Sequence, residues 1–174
     1  MSGSYIVRGV AEHVYSAADL TILSMPEAVR KRPGMYFGIG PGDRRLATRV
    51  LCKVVIDAFH PAARVAAGHA PHVVADITAD LAFAVTDDQA QLDPSGNAVL
   101  GYEKSMLTPE RWLYAAAASV STRTVVEVWQ DGRGFRQTLA GLRPVEAPQP
   151  SALPPERAHA WPSSLIHTSA ARPR

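Results

Sequence analysis

The dipeptide Asp131-Gly132 constrains this chain most. It separates two runs of strand-forming character, Thr124 to Gln130 and Arg133 to Leu139, and both residues accept the positive φ angles of a two-residue type I′ turn. An antiparallel hairpin over 124–139 follows. The second strong signal is helical: from Arg45 to Phe59, Leu46, Val50, Val54 and Ala58 recur at helical spacing, with Leu51, Val55 and Phe59 widening the stripe. This predicts a long helix that Pro61 ends.

Shorter elements fill the remainder. Leu23 to Arg32 reads as a short helix with Ser24 as N-cap, Pro26 in its first turn and Glu27 at the third position, the capping-box pattern. Pro33-Gly34 then stops it. His72–Asp80 and Leu81–Asp87 read as two strands, since Val73, Val74, Ile77, Phe83 and Val85 are β-formers. Asp88 to Thr108 is polar, carries Pro94, Gly96 and Gly101, and reads as a loop. Pro109 to Ser119 is a helix with Thr108 as N-cap. Pro144 to Pro155 is proline-rich and lies along the surface. Residues 1–18 form an arm without steady periodicity, 19–168 one domain and 169–174 a flexible tail, and His167 is read as standing in a flexible tail.

Composition narrows the function classes. With 174 residues, 47% of them hydrophobic and 20% charged, the chain suits one core. Its formal net charge of +2 is small for a polyanion-binding surface, so no direct nucleic-acid contact is expected. The single cysteine, Cys52, lies in the apolar run Val50-Leu51-Cys52, where a buried small hydrophobe is the expectation. No apolar stretch approaches the roughly 20 residues that span a bilayer. No basic-then-apolar leader stands at the N-terminus, and a reducing cytoplasm is the expected compartment.

The run Met25-Pro26-Glu27-Ala28-Val29-Arg30-Lys31-Arg32-Pro33-Gly34-Met35-Tyr36-Phe37-Gly38 resembles the opening motif of the gyrase B and topoisomerase IV ATPase domains, members of the GHKL superfamily. Val126 to Gln137 is similar to a strand pair late in that domain, and Ala160 to Ile166 is a weaker echo of its closing segment. The resemblance implies an α+β two-layer sandwich, a mixed, mostly antiparallel sheet with helices on one face. The ligand pocket lies between the layers, and an N-terminal arm crosses to a second protomer.

The same resemblance locates three departures. The family's long helix carries a Glu that activates water and, four residues on, an Asn that holds Mg²⁺; Lys53 and Asp57 stand at those positions here. A protonated Lys cannot accept the water's proton near neutral pH. The adenine-reading Asp-x-Gly-x-Gly becomes Asp87-Asp88-Gln89-Ala90-Gln91, which keeps the acid and replaces both glycines with side chains. The phosphate-cradling Gly-rich lid is reduced to the isolated Gly96 and Gly101. ATP hydrolysis is therefore not expected, and no cofactor is expected.

Lys53, Asp57 and His60 fall at i, i+4 and i+7 and could share one helix face. If the family geometry turns this face inward, they form with Asp87 a repurposed acid/base site, with Asp88, Tyr102 and Glu103 as ligand contacts. Read without that geometry, the face is a solvated polar stripe and the Tyr102-Glu103-Lys104 loop an ordinary polar loop. His69 and His72 lack a third metal ligand at a diagnostic spacing. Two functions follow. One is an ATPase-dead pocket holding a different small molecule, in the manner of a biosynthetic isomerase or cyclase. The other is a non-catalytic interaction module, a decoy or regulator of a gyrase-like partner or a homodimer joined through the arm.

Overall fold

The computed structural model describes residues 21–60, 70–89 and 92–152, together with the backbone of 163–170. The chain opens on α1 (Met25–Lys31), where the Ser24 N–H and hydroxyl donate to Glu27 Oε2 at 2.8 and 2.7 Å. This ties the first turn as the capping box requires. Pro33 ends α1 as expected and also begins α2 (Pro33–Phe37), because a proline at the first helical position has no N–H to leave unsatisfied. The long helix is α3 (Leu46–Ala58).

Two β-hairpins provide the outer parts of the sheet. In the first, β1 (Val73–Ala79) pairs with β2 (Ala82–Asp87) around Asp80-Leu81. Leu81 turns the chain at φ 60°, a left-handed conformation without glycine. In the second, β3 (Ser121–Gln130) pairs with β4 (Arg133–Ala140), and Asp131 and Gly132 have φ of 51° and 76°, as the type I′ turn demands. Two-residue strands β5 (Arg143–Pro144) and β6 (Gln149–Pro150) line the outer edge of β4.

The segment expected to end in a tail is instead β7 (Ser163–Ala170), which lies between the hairpins and pairs with both β2 and β3. His167 is opposite Ala84 on one side and Val125 on the other. The order is β1-β2-β7-β3-β4-β5, and every described pairing is antiparallel. Backbone hydrogen bonding to two neighbours is what makes 163–170 a strand.

Helices cover one face. α4 (Trp112–Ser119) is buried from Leu113 onward and packs on β3, with α1 and α3 against it. Val126, Val128, Phe83 and Val85 meet it from the sheet. On the opposite face Trp129 lies over Gly134, its cross-strand partner, where a Cβ would stand 2.2 Å from the indole Cδ1. The α3 stripe of Val50, Val54 and Ala58 is buried as expected. Cys52 is not: it falls on the outer face of α3 with Ile56 and Phe59 and is exposed. Among the described residues no helix is long and apolar enough to cross a membrane.

Candidate functional site

β2 ends at Asp87, a residue 2% exposed whose side chain points into the layer between sheet and helices. A carboxylate buried this deeply requires partners, and α4 and the turn before it provide them. Pro109–Arg111 forms a single 3₁₀ turn that delivers Arg111 at the threshold of α4. The guanidinium grips Asp87 with both terminal nitrogens: Nη1 donates to Oδ2, and Nη2 donates to Oδ1 at 2.6 Å. Nη2 also donates to the Gln89 carbonyl at 2.9 Å. From the first turn of α4, the Tyr114 hydroxyl donates to Asp87 Oδ2 at 2.7 Å, and the Gln89 N–H donates to Oδ1 at 3.0 Å.

Each oxygen of Asp87 thus accepts two hydrogen bonds, which fills the lone-pair sites of an ionised carboxylate. Burial works against the Arg111 charge, yet Asp87 beside it holds the guanidinium's pKa above its ordinary value. Burial, reinforced by Asp87, also pushes the Tyr114 phenol well up. Both side chains keep their protons through the physiological range, and the guanidinium carbon lies 5.1 Å from the Tyr114 ring centroid.

The α3 residues divide. Asp57 is buried, its Oδ2 has no hydrogen-bond partner, and burial raises its pKa while Arg111 and His60 pull it down. Arg111 therefore acts electrostatically on two carboxylates, Asp87 and Asp57. Lys53 and His60 are exposed. The expected row of Lys53, Asp57 and His60 is not one inward face, because a helix of this rotation that buries Val54, Asp57 and Ala58 turns position 53 outward.

Gln89 stands at the end of this layer. Its Nε2 donates to the Ala58 carbonyl at 2.6 Å, which closes the space between β2 and the end of α3, and its Oε1 is buried without a partner. Gln91 and His69 lie outside the described residues. Asp88 does not face this site: both its oxygens receive the His72 N–H at 3.0 Å, fastening the start of β1.

Tyr102 and Glu103 lie elsewhere. Tyr102 packs on the core, and Glu103 lines a surface cleft of ≈ 600 Å³ with Lys104, Leu100, Arg143 and Val145. A second cleft of ≈ 620 Å³ lies between Arg30, Pro33, Leu46 and the Ser119–Thr122 segment. Lys53, Asp57, His60 and Asp87 line neither. No group of three or more metal-ligating side chains occurs among the described residues. Sequence reasoning missed Arg111, which lies next to the apolar run Trp112–Ser119 and is the cation that a buried Asp87 demands.

Comparison with known proteins agrees with this architecture. The chain is 32% identical over 152 residues to the B-subunit of DNA topoisomerase 4 from Caulobacter vibrioides, a match covering 75% of this chain and 21% of that protein. It thus spans about a fifth of the length of that relative. Among solved structures it is similar to the B-subunit of DNA gyrase from Myxococcus xanthus, with a TM-score of 0.61, 22% identity, and coverage of 83% of this chain and 42% of that one. No family model matches.

Proposed function

From the premise that this chain has a gyrase B-like GHKL fold, we propose that it is a non-catalytic interaction module whose nucleotide position is occupied by its own Arg111. The observation that carries this reading is the saturation of Asp87. An adenine amino group has no lone pair left to address there unless Arg111 or Tyr114 leaves. At the position of the family's base, Lys53 is an exposed cation. Gln89 fills the space that a backbone-only residue would leave open for a ligand.

Such a domain retains the shape of gyrase B without the chemistry. It competes for surfaces that recognise that shape, either on a gyrase-like partner or on a second copy reached through the N-terminal arm. Isothermal titration of the full chain with Mg-ATP and Mg-ADP tests the first half and is expected to show no binding heat up to millimolar nucleotide. Saturable nucleotide binding would overturn it. Surface plasmon resonance against the subunits of gyrase and topoisomerase IV tests the second half, and a flat response to all of them would remove the decoy role.

A second reading rests on Asp57 Oδ2 and Gln89 Oε1, two buried acceptors without partners. A small molecule with hydrogen-bond donors satisfies them if Arg111 swings aside, and the site is then a repurposed pocket. Acid/base isomerisation or cyclisation there further requires Asp87 to be released from its ion pair. A ligand at 100 times its Kd stabilises the native state by about 2.7 kcal/mol. A thermal-shift screen of small metabolites separates the two readings: a compound that stabilises wild type and loses its effect in Asp57→Asn supports the pocket.

A further inference from the structure

The turn Tyr102–Lys104 holds two consecutive non-glycine residues in left-handed backbone, Glu103 at φ 52° and Lys104 at φ 64°. L-residues with side chains rarely adopt this conformation, so the surroundings must enforce it. They do so from three sides. The Gly101 N–H donates to the Ser105 carbonyl at 2.8 Å, and the Tyr102 N–H donates to the Leu107 carbonyl at 2.9 Å. At Gly101 a Cβ would stand 2.3 Å from the Leu107 oxygen. The Ser105 hydroxyl donates to the Tyr102 carbonyl at 2.6 Å.

Gln137, 1% exposed, fastens this turn to the opposite wall of the ≈ 600 Å³ cleft. Its Oε1 accepts the Met106 N–H at 2.9 Å, and its Nε2 donates to the Glu146 carbonyl at 3.1 Å. Both walls are therefore set before anything binds, which lowers the ordering cost of association.

The charges on these walls have a pattern. One wall presents Glu103 and Lys104, the other Arg143 and Glu146, all four exposed. None forms an ion pair among the described residues. Between them Leu100 and Val145 are 51% and 66% exposed. A patch with one acid and one base on each wall and an apolar centre is electrostatically neutral and self-complementary under a twofold axis, the requirement for an isologous contact. A strongly acidic or basic partner would find half of these charges repulsive.

We propose that this cleft is a homodimer interface, in which a second copy sets its Arg143/Glu146 wall against the Glu103/Lys104 wall of the first. Lys104 then pairs with Glu146 of the other copy and Glu103 with Arg143, twice each across the axis, while Leu100 and Val145 close over one another. The inference rests on the interaction-module reading and names the surface that serves it.

Sedimentation equilibrium of the full chain tests it. Wild type is expected to dimerise, with Lys104→Glu and Glu146→Lys each weakening the dimer about tenfold or more. The charge-swapped double variant Lys104→Glu/Glu146→Lys is expected to return to within about threefold of wild type, since it restores opposite signs in both copies. Unchanged circular dichroism and thermal midpoints show that the variants fold. A monomeric wild type overturns the proposal, as does a dimer indifferent to the reversals or a double variant as weak as the singles. A monomer that still binds a component of gyrase overturns this interface and leaves the interaction-module reading standing.

Discussion

Replacing Arg111 by Ala is expected to be the most damaging single substitution in the described core. The guanidinium donates two hydrogen bonds to Asp87 and one to the Gln89 carbonyl, and its side chain is 8% exposed against 0% for that of Asp87. Its removal leaves a buried carboxylate that has lost its guanidinium and keeps the Tyr114 hydroxyl and the Gln89 N–H. Breaking a buried pair from one side costs about 3–5 kcal/mol, a large fraction of the roughly 5–15 kcal/mol that holds a domain together. At about 2–4 °C per kcal/mol for a chain of this size, the thermal midpoint falls by roughly 6–20 °C. Urea denaturation followed by far-ultraviolet circular dichroism measures the loss without adding guanidinium. Arg111→Lys should fall between, since one ammonium cannot serve both Asp87 oxygens and the Gln89 carbonyl in a planar fork. Millimolar methylguanidinium should restore part of the stability of Arg111→Ala by occupying the vacated place. A loss under about 1 kcal/mol, or equal losses for Ala and Lys, would refute the claim that Asp87 is committed to this guanidinium.

Three further outcomes are expected. Asp57→Asn should be more stable than wild type at neutral pH. The Asp57 pKa is raised in the fold, so the native state binds the proton more tightly and stability falls as pH rises above the unfolded value of about 3.9. The advantage of the variant therefore vanishes below about pH 4, and paired urea titrations across pH 3–8 check it. Leu81→Gly relieves the φ of 60° in the β1–β2 turn and should add about 0.5–1 kcal/mol, the strain removed less the entropic cost of glycine. Chemical denaturation reads the change. Gly134→Ala drives a methyl into the Trp129 indole and the Ser151 carbonyl, 2.2 and 2.4 Å from where its Cβ would sit. It should cost about 1–3 kcal/mol and alter the near-ultraviolet dichroism of the indole.

Local chemistry carried much of the fold into view from sequence. Asp131-Gly132, the Ser24/Glu27 box and the Val50–Val54–Ala58 stripe each act through neighbours in the chain, and each stands where expected. What failed depended on distant segments. Ser163–Ala170 has few strong β-formers, and its place in the sheet comes from β2 and β3 on either side. Cys52 looked buried because its neighbours in sequence are apolar, but rotation about the α3 axis places it outside. The site divides in the same way. Asp87 and Asp57 were legible as buried acids through resemblance, whereas the inward direction of Lys53 and His60 was an assumption that the helix phase reverses. Arg111 left no local pattern at all. Only the need of a buried acid for a counter-charge pointed to it, and that need becomes visible once the burial of Asp87 is known.

The central place of β7 governs how this chain can assemble. The β1–β2 and β3–β4 hairpins are each local and can close within microseconds, but no described pairing joins β2 to β3 without the strand between them. During synthesis the two hairpins must therefore wait, with the facing backbone edges of β2 and β3 unpaired, until residues 163–170 leave the ribosome. At about 5–20 residues per second, the interval between the end of β4 and the end of β7 lasts on the order of seconds, much longer than hairpin closure. Completion of the sheet is then a late, long-range step in folding. A chain cut short before Ser163 is left with two hairpins and open strand edges, a form suited to aggregation or to capture of a β7 strand from a neighbouring copy.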